Sequence, residues 1–193
     1  MKRIILFFVG ISITFLIVSL FCNQNKYEIS PREKAVNTAV GYNIKFIRDK
    51  YKLMPFGTTI AMPEGDIQYL ELKFQMYGPL KKGRLRKMLI EVANDFLNNL
   101  NHNMELCAFL DKGKLDIKEI GIEFFLIDRC GKSLDHPNIA IASISKGILE
   151  YLTLANNEEN FRDFVSKEQE SFEEAMQILQ FHSSGDIPSE QYR

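Results

Sequence analysis

Five cations within seven residues are the densest charge in the sequence, and they occupy Lys81, Lys82, Arg84, Arg86 and Lys87. This basic cluster begins a predicted helix, where free backbone N–H groups already favour an anion. Lys82, Arg84, Arg86 and Lys87 are therefore a candidate anion-binding site for lipid headgroups or a phosphorylated polymer. A solvated helix start whose charge is balanced by nearby acids is the commoner explanation of such a cluster.

His136 is the residue best suited to acid–base chemistry. With Asp135 or Glu123 to orient its ring, it could serve as the general base of a small periplasmic hydrolase. The surrounding residues, 135–138, also have the composition of a simple turn, which accounts for them without any chemistry. No histidine lies at metal-ligand spacing from a cysteine or another histidine. The sequence therefore predicts no catalytic residue, no metal and no cofactor.

The N-terminal segment predicts where the protein resides. Residues 4–21 contain no charge and would span about 27 Å as a helix, close to the thickness of a bilayer core. Lys2 and Arg3 precede this segment and would stay in the cytoplasm. Phe21 is unsuited both to signal-peptide cleavage and to the position before a lipidated cysteine. We therefore expect an uncleaved signal anchor in the cytoplasmic (inner) membrane, with the domain on its extracytoplasmic, periplasmic side.

Cysteine usage leaves two further alternatives open. A lipoprotein lipidated at Cys22 would place the same domain in the same compartment. An oxidising compartment would also permit a disulfide between Cys107 and Cys130, closing a loop of about 22 residues. The simpler explanation takes Cys107 as a small buried hydrophobe and Cys130 as a turn residue.

Charge argues against one class of partner. Lys2 and Arg3 are the only charged residues before position 23, so the rest of the chain has a formal charge near −3. A general nucleic-acid binder would normally be basic, so nucleic acid is not an expected partner. We expect residues 1–22 to be a transmembrane segment, 23–30 a linker, 31–181 one domain and 182–193 a polar tail.

Hydrophobic periodicity predicts the elements of that domain. A capping box at Ser30–Glu33 begins a helix that runs to about Tyr51, and helical spacing of apolar residues predicts a second helix over 83–101. Alternation predicts strands at 67–77, 117–127, 138–145 and 148–154, the last two joined by a hairpin at Lys146-Gly147. Residues 52–66 are predicted to be a loop with a short extended piece. A second capping box, Ser166–Gln169, predicts the start of a final helix whose first turn contains Glu168 and Glu170.

This order of elements indicates an α+β fold. We expect an antiparallel or mixed sheet of about four strands, with helices packed on one face, preceded by the N-terminal transmembrane helix. The other face of the sheet would carry Tyr69, Glu71, Lys73 and Glu123, and would meet either solvent or a partner.

The domain resembles a family of uncharacterised, envelope-anchored small proteins from intracellular bacteria. The resemblance spans about residues 54–180 and is carried by Gly78-Pro79-Leu80, Leu85-Arg86, Phe96-Leu97-Asn98, Leu100-Asn101, Phe109-Leu110, Asp128, Gly131, Pro137-Asn138-Ile139-Ala140, Lys146-Gly147-Ile148 and Ser171-Phe172-Glu173-Glu174-Ala175. These are turn and core patterns, so the resemblance brings no catalytic residue. It implies an envelope-associated, non-enzymatic role.

Together these features predict a membrane-anchored extracytoplasmic binding or assembly module. Its partner would be an envelope protein or an anionic headgroup, met by the sheet face or by the basic cluster. A periplasmic hydrolase using His136 is the alternative from another functional class. A pocket around His136 would favour the enzyme, whereas an accessible sheet face would favour the module.

Overall fold

The computed structural model describes residues 28–155 and 164–183. The elements in chain order are α1 (Pro31–Tyr51), β1 (Met54–Ala61), a 3-10 turn (Pro63–Gly65), β2 (Tyr69–Tyr77), α2 (Lys82–Asn101), α3 (Met104–Cys107), β3 (Ile120–Ile127), β4 (Ile141–Ser145), β5 (Ile148–Leu154), β6 (Phe164–Ser171) and α4 (Phe172–Ser183). The expected α+β class is confirmed.

The sheet has six strands in the order β1-β2-β3-β4-β5-β6. All neighbours are antiparallel except β2 and β3, which pair in parallel over eight residue pairs. Parallel neighbours require a crossover, and α2 supplies it. The predicted hairpin is confirmed, because Lys146 and Gly147 both have positive φ, as a two-residue turn of the primed type demands.

One face of the sheet forms the core with the helices. Alternate residues of β2 and β3 are buried on this core face: Leu70, Leu72, Phe74, Met76, Ile120, Ile122, Phe124 and Leu126. They belong to the same hydrophobic cluster as the α2 residues Leu85, Leu89, Val92 and Phe96. The predicted alternation of β2 and the predicted facing of α2 are therefore confirmed.

Two expectations were wrong, and both concern edge strands. Residues 52–66 were expected to be mainly loop, yet Met54–Ala61 pairs with β2 along its whole length, with a bulge between Pro55 and Gly57. Proline and glycine are tolerated at an edge because the outer backbone groups need no partner. The sheet therefore has six strands instead of about four.

The second correction moves the start of the last helix. Ser166–Gln169 does not cap a helix, because both residues lie in β6, which pairs with β5. The helix begins at Phe172 and is capped reciprocally by Ser171 and Glu174: each side chain accepts a hydrogen bond from the other residue's backbone N–H. Glu168 and Glu170 thus lie on a strand and not in a first helical turn.

The membrane anchor expected at residues 4–21 lies outside the described residues. Among the helices of residues 28–155 and 164–183, none is long and apolar enough to cross a membrane.

Substitution of Phe124 tests the strand facing. Phe124 is fully buried at the centre of the sheet, so Phe124→Ala should lower the free energy of unfolding by about 3–5 kcal/mol. Urea unfolding of the fragment that begins at Lys26 measures this, and we expect that fragment to unfold cooperatively. A loss below about 1 kcal/mol would contradict the assignment of Phe124 to the core, since surface substitutions have effects of that size or smaller.

Candidate functional site

The basic cluster at the start of α2 is partly neutralised by β6. Lys82 Nζ lies 2.8 Å from Glu168 Oε2. Arg86 donates two parallel hydrogen bonds to Glu170, from Nε to Oε1 at 2.9 Å and from Nη2 to Oε2 at 2.8 Å. A bidentate guanidinium–carboxylate pair of this kind is among the stronger polar contacts in proteins.

The cations of α2 and the glutamates of β6 pair because the side-chain spacings of a helix and of a strand are similar here. Glu168 and Glu170 are two residues apart on a strand, so their side chains share a face about 7 Å apart. Lys82 and Arg86 are four residues apart on a helix, which separates them by about 6 Å along its axis. The two ion pairs can therefore form side by side. The sequence did not predict these pairs, because both glutamates were expected in a helix.

Tyr151 completes this buried ion-pair cluster. The side chains of Arg86 and Glu170 are only 13% and 9% exposed. Tyr151 is buried and donates a hydrogen bond of 2.6 Å to Glu170 Oε1, while Lys82 Nζ lies 4.9 Å from the centre of its ring. Burial, followed by the hydrogen bond to Glu170 and its charge, raises the pKa of Tyr151 well above its ordinary value. The phenol therefore stays protonated and keeps donating.

The remaining cations of the cluster are more accessible. Lys87 lies 3.9 Å from Glu91 in an exposed helical pair, which contributes little. Lys81 and Arg84 are exposed, and neither has a carboxylate within ion-pair distance in the described part of the chain. Of the four candidate anion-binding residues, Lys82 and Arg86 thus already bind protein carboxylates. This arrangement fits the explanation of a helix start balanced by nearby acids.

A second polar site lies on the sheet face opposite the core, here called the polar face. Its polar side chains come from neighbouring strands and are Tyr69, Glu71, Lys73, Gln75, Glu123, Ser143, Ser145, Glu150, Lys167 and Gln169. The register places Phe125, Ile141, Ile148 and Leu152 on the same face. One row of side chains crosses five strands, because each member is the register partner of the next: Lys73, Glu123, Ser143, Glu150 and Gln169. The row runs perpendicular to the strands.

Charges within the row are paired. Lys73 Nζ lies 2.8 Å from Glu123 and 3.1 Å from Glu71. Desolvation lowers the pKa of Lys73, but the hydrogen bonds and charges of the two glutamates outweigh it, so its pKa is raised. Glu150 accepts from both Lys167 and Gln169 at 2.6 Å. Ser143 occupies the register position between Glu123 and Glu150.

Tyr69 and Gly121 depend on one another beside this row. The Tyr69 ring lies across Gly121, where a Cβ would come within 2.9 Å of the ring carbon Cζ. Its hydroxyl reaches Ser145 Oγ at 2.8 Å on the next strand but one. Burial raises the pKa of Tyr69 above its ordinary value. Only glycine at position 121 allows this side chain to bridge from β2 to β4.

A groove of about 520 Å³ opens at one end of the polar face, beside the β4–β5 hairpin. It is lined by Ser143, Ser145, Lys146, Ile148, Glu150, Gln169, Glu170, Ser171 and Glu174. Apolar groups flank the other end of the face, where the Phe56 and Phe125 rings lie 4.8 Å apart. Phe56 is 57% exposed. The face thus combines hydroxyl, amide and carboxylate groups with an aromatic margin.

His136 is not assembled into such a site. Its side chain is exposed in the loop between β3 and β4, and it lines neither this groove nor the smaller cavity of about 250 Å³ around Asp66 and Phe109. Asp135 pairs with Lys132 at 3.7 Å, and Glu123 pairs with Lys73. Both proposed orienting carboxylates therefore have other partners in the structure.

The cysteines that could form a disulfide are free thiols. Cys107 is the last residue of α3 and is half-buried, with its Sγ 3.7 and 3.5 Å from the carbonyl oxygens of Leu100 and Asn101. Cys130 is exposed in the turn that follows β3. Cys22, the alternative lipidation site, lies outside the described residues. Within those residues, no group of three or more His, Cys, Asp or Glu side chains is arranged to hold a metal ion.

Comparison of the chain with models of protein families, with curated proteins and with solved structures found no match.

Removal of Arg86 tests the buried ion-pair cluster. Arg86→Ala leaves Glu170 buried without its cation and should lower the free energy of unfolding by about 3–5 kcal/mol. Lys82→Ala, at the more exposed pair with Glu168, is the matched control and should cost less than about 1 kcal/mol. Urea unfolding of both variants provides the comparison, and equal losses would show that the Arg86 pair is no more buried in solution than its neighbour.

Proposed function

We propose that the protein is a membrane-anchored extracytoplasmic binding or assembly module, non-enzymatic, that holds its partner on the polar face. The observation that carries this proposal is the row of paired polar groups across five strands, ending in the groove beside the β4–β5 hairpin. The apolar face of the sheet is used for folding. The polar face is therefore the surface on which side chains are free to serve recognition.

The pairing of charges within the row favours recognition by hydrogen bonds over simple charge attraction. The side chains of Glu71, Lys73, Glu123 and Glu150 are 12–28% exposed, so they are held in place and partly desolvated. Groups fixed in advance lose little conformational entropy when a partner binds. A groove of about 520 Å³ lies within the range of sites that accept a small molecule or a protruding side chain.

Residues 4–21 supply the proposed anchor, and they place the domain on the extracytoplasmic side of the cytoplasmic membrane. The positive start, Lys2 and Arg3, and the length of the apolar run support this address. A lipoprotein lipidated at Cys22 is the alternative within the same function. Both forms would tether the domain to a membrane.

Intact mass of the protein extracted from membranes tests the anchor. Because no small-residue cleavage motif follows residues 4–21, we expect the mass of the uncleaved chain, with or without Met1. A mature chain that starts at Cys22 with attached acyl groups would establish the lipoprotein form. A chain that starts at Asn23 would overturn the anchor.

Photocrosslinking from the polar face tests the binding function. A photoreactive residue at position 143, in the full chain in living cells, should give a discrete adduct because Ser143 lies in the proposed surface. The same residue at the exposed position 45 of α1 is the matched control and should give none. A second test fills the groove, which Ser145 and Glu150 also line. With the photoreactive residue at position 145 instead of 143, Glu150→Trp should abolish the adduct. The proposal fails if positions 143 and 45 give the same adducts.

A further inference from the structure

The two edges of the sheet differ in chemistry. β6, at one edge, carries Lys167, Glu168 and Glu170, and charged side chains on an edge strand hinder pairing with another strand. β1, at the other edge, has the sequence MPFGTTIA and contains no charged side chain in eight residues. Beyond Pro55 and the bulge that follows it, this edge therefore lacks the charged side chains that usually hinder strand addition.

The outer side of β1 is accessible within the described part of the chain. All of its residues from Pro55 to Ile60 are exposed, and its only strand partner among the described residues is β2. Phe56 and Ile60 are 57% and 37% exposed. Pro55 and the bulge lie near the beginning of the strand, so Gly57–Ala61 is the regular stretch whose outward N–H and C=O groups can pair.

We propose that this edge pairs with the same edge of a second copy, β1 against β1 in antiparallel orientation about a two-fold axis. A two-fold pair sets each side chain close to a copy of itself or of a near neighbour, and like charges directly opposite are destabilising. β1 meets this condition because Gly57, Thr58, Thr59 and Ile60 are uncharged. Self-pairing of β6 would bring its lysine and glutamates against their own copies.

The pairing would join the two polar faces. In an antiparallel pair whose axis is perpendicular to the sheet, corresponding faces of the two copies lie on the same side. The result is one twelve-stranded sheet with two grooves on one surface. The exposed Phe56 rings lie on this side of β1, next to Phe125, and would border the junction. This contact does not involve the residues on which the proposed binding function rests.

Cysteine scanning in the full chain tests the pairing. Each variant carries one new cysteine on β1 in a background with Cys107→Ala and Cys130→Ser. The four new cysteines are Gly57→Cys, Thr58→Cys, Thr59→Cys and Ile60→Cys. Cys22 remains in every variant, so its crosslinking is a common background. Ser166→Cys on β6 is the matched control at the other edge. Mild oxidation in membranes, followed by non-reducing gel electrophoresis and mass measurement, reports a species of twice the 22.3 kDa chain.

The expected result is a single maximum along β1. In a symmetric antiparallel pair only one residue faces its own copy, with Cβ atoms about 4.5–5.5 Å apart, whereas its neighbours meet their copies only diagonally or farther. Ile60→Lys, or Thr58→Lys where the maximum lies at position 60, is added to the variant with the maximum and should reduce the dimer to background. Ser166→Lys should leave it unchanged. Dimer at background for all four positions, equal yields at all positions including 166, or an adduct of another mass would each overturn the proposal.

Discussion

The parallel pairing of β2 with β3 constrains the whole domain, because it obliges the chain to cross the sheet between the two strands. α2 makes that crossing and packs its apolar stripe on the alternating core residues of both strands. The crossing also fixes where α2 begins, and hence where Lys82 and Arg86 point. An antiparallel pair at this position would need no helix, and the cations would have no reason to lie over the far edge of the sheet.

At that far edge, ion pairs take the place of hydrophobic packing. The β6 residues on the core side of the sheet are Ser166, Glu168 and Glu170, and none of these three is apolar. The strand is held instead by its ladder with β5 and by the cations of α2. A buried pair of this kind often adds no more stability than an apolar pair of the same volume, but a shift of register would leave its charges buried without partners. We therefore expect it to favour the observed register of β6, and with it the position of α4 and the groove lined by Ser171 and Glu174.

The sequence predicted those elements whose own residues carry the signal. Leu70, Leu72, Phe74 and Met76 alternate because one side is buried, and Lys146-Gly147 supplies the positive φ angles that a tight hairpin needs. β1 and β6 gave no such signal, since an edge strand is exposed on more sides and need not alternate. The capping pattern S-x-x-E/Q occurs at both Ser166 and Ser171, and only the pairing of β6 with β5 decides between them. Likewise, the cations of the basic cluster are visible in the sequence, but their partners follow from the register.

The polar face shows the same division between local and non-local information. The sequence predicted that Tyr69, Glu71, Lys73 and Glu123 share this face, because alternation within β2 and within β3 is enough to place them. Ser143, Glu150 and Gln169 join the row only through the register of the later strands. The charges of this row are paired with neighbouring side chains, in contrast to the exposed cations of α2. Under the proposed binding function, specificity would therefore come from the positions of donors and acceptors. A surface of that kind discriminates by shape and hydrogen bonding, and it is less affected by salt than a patch of a single charge.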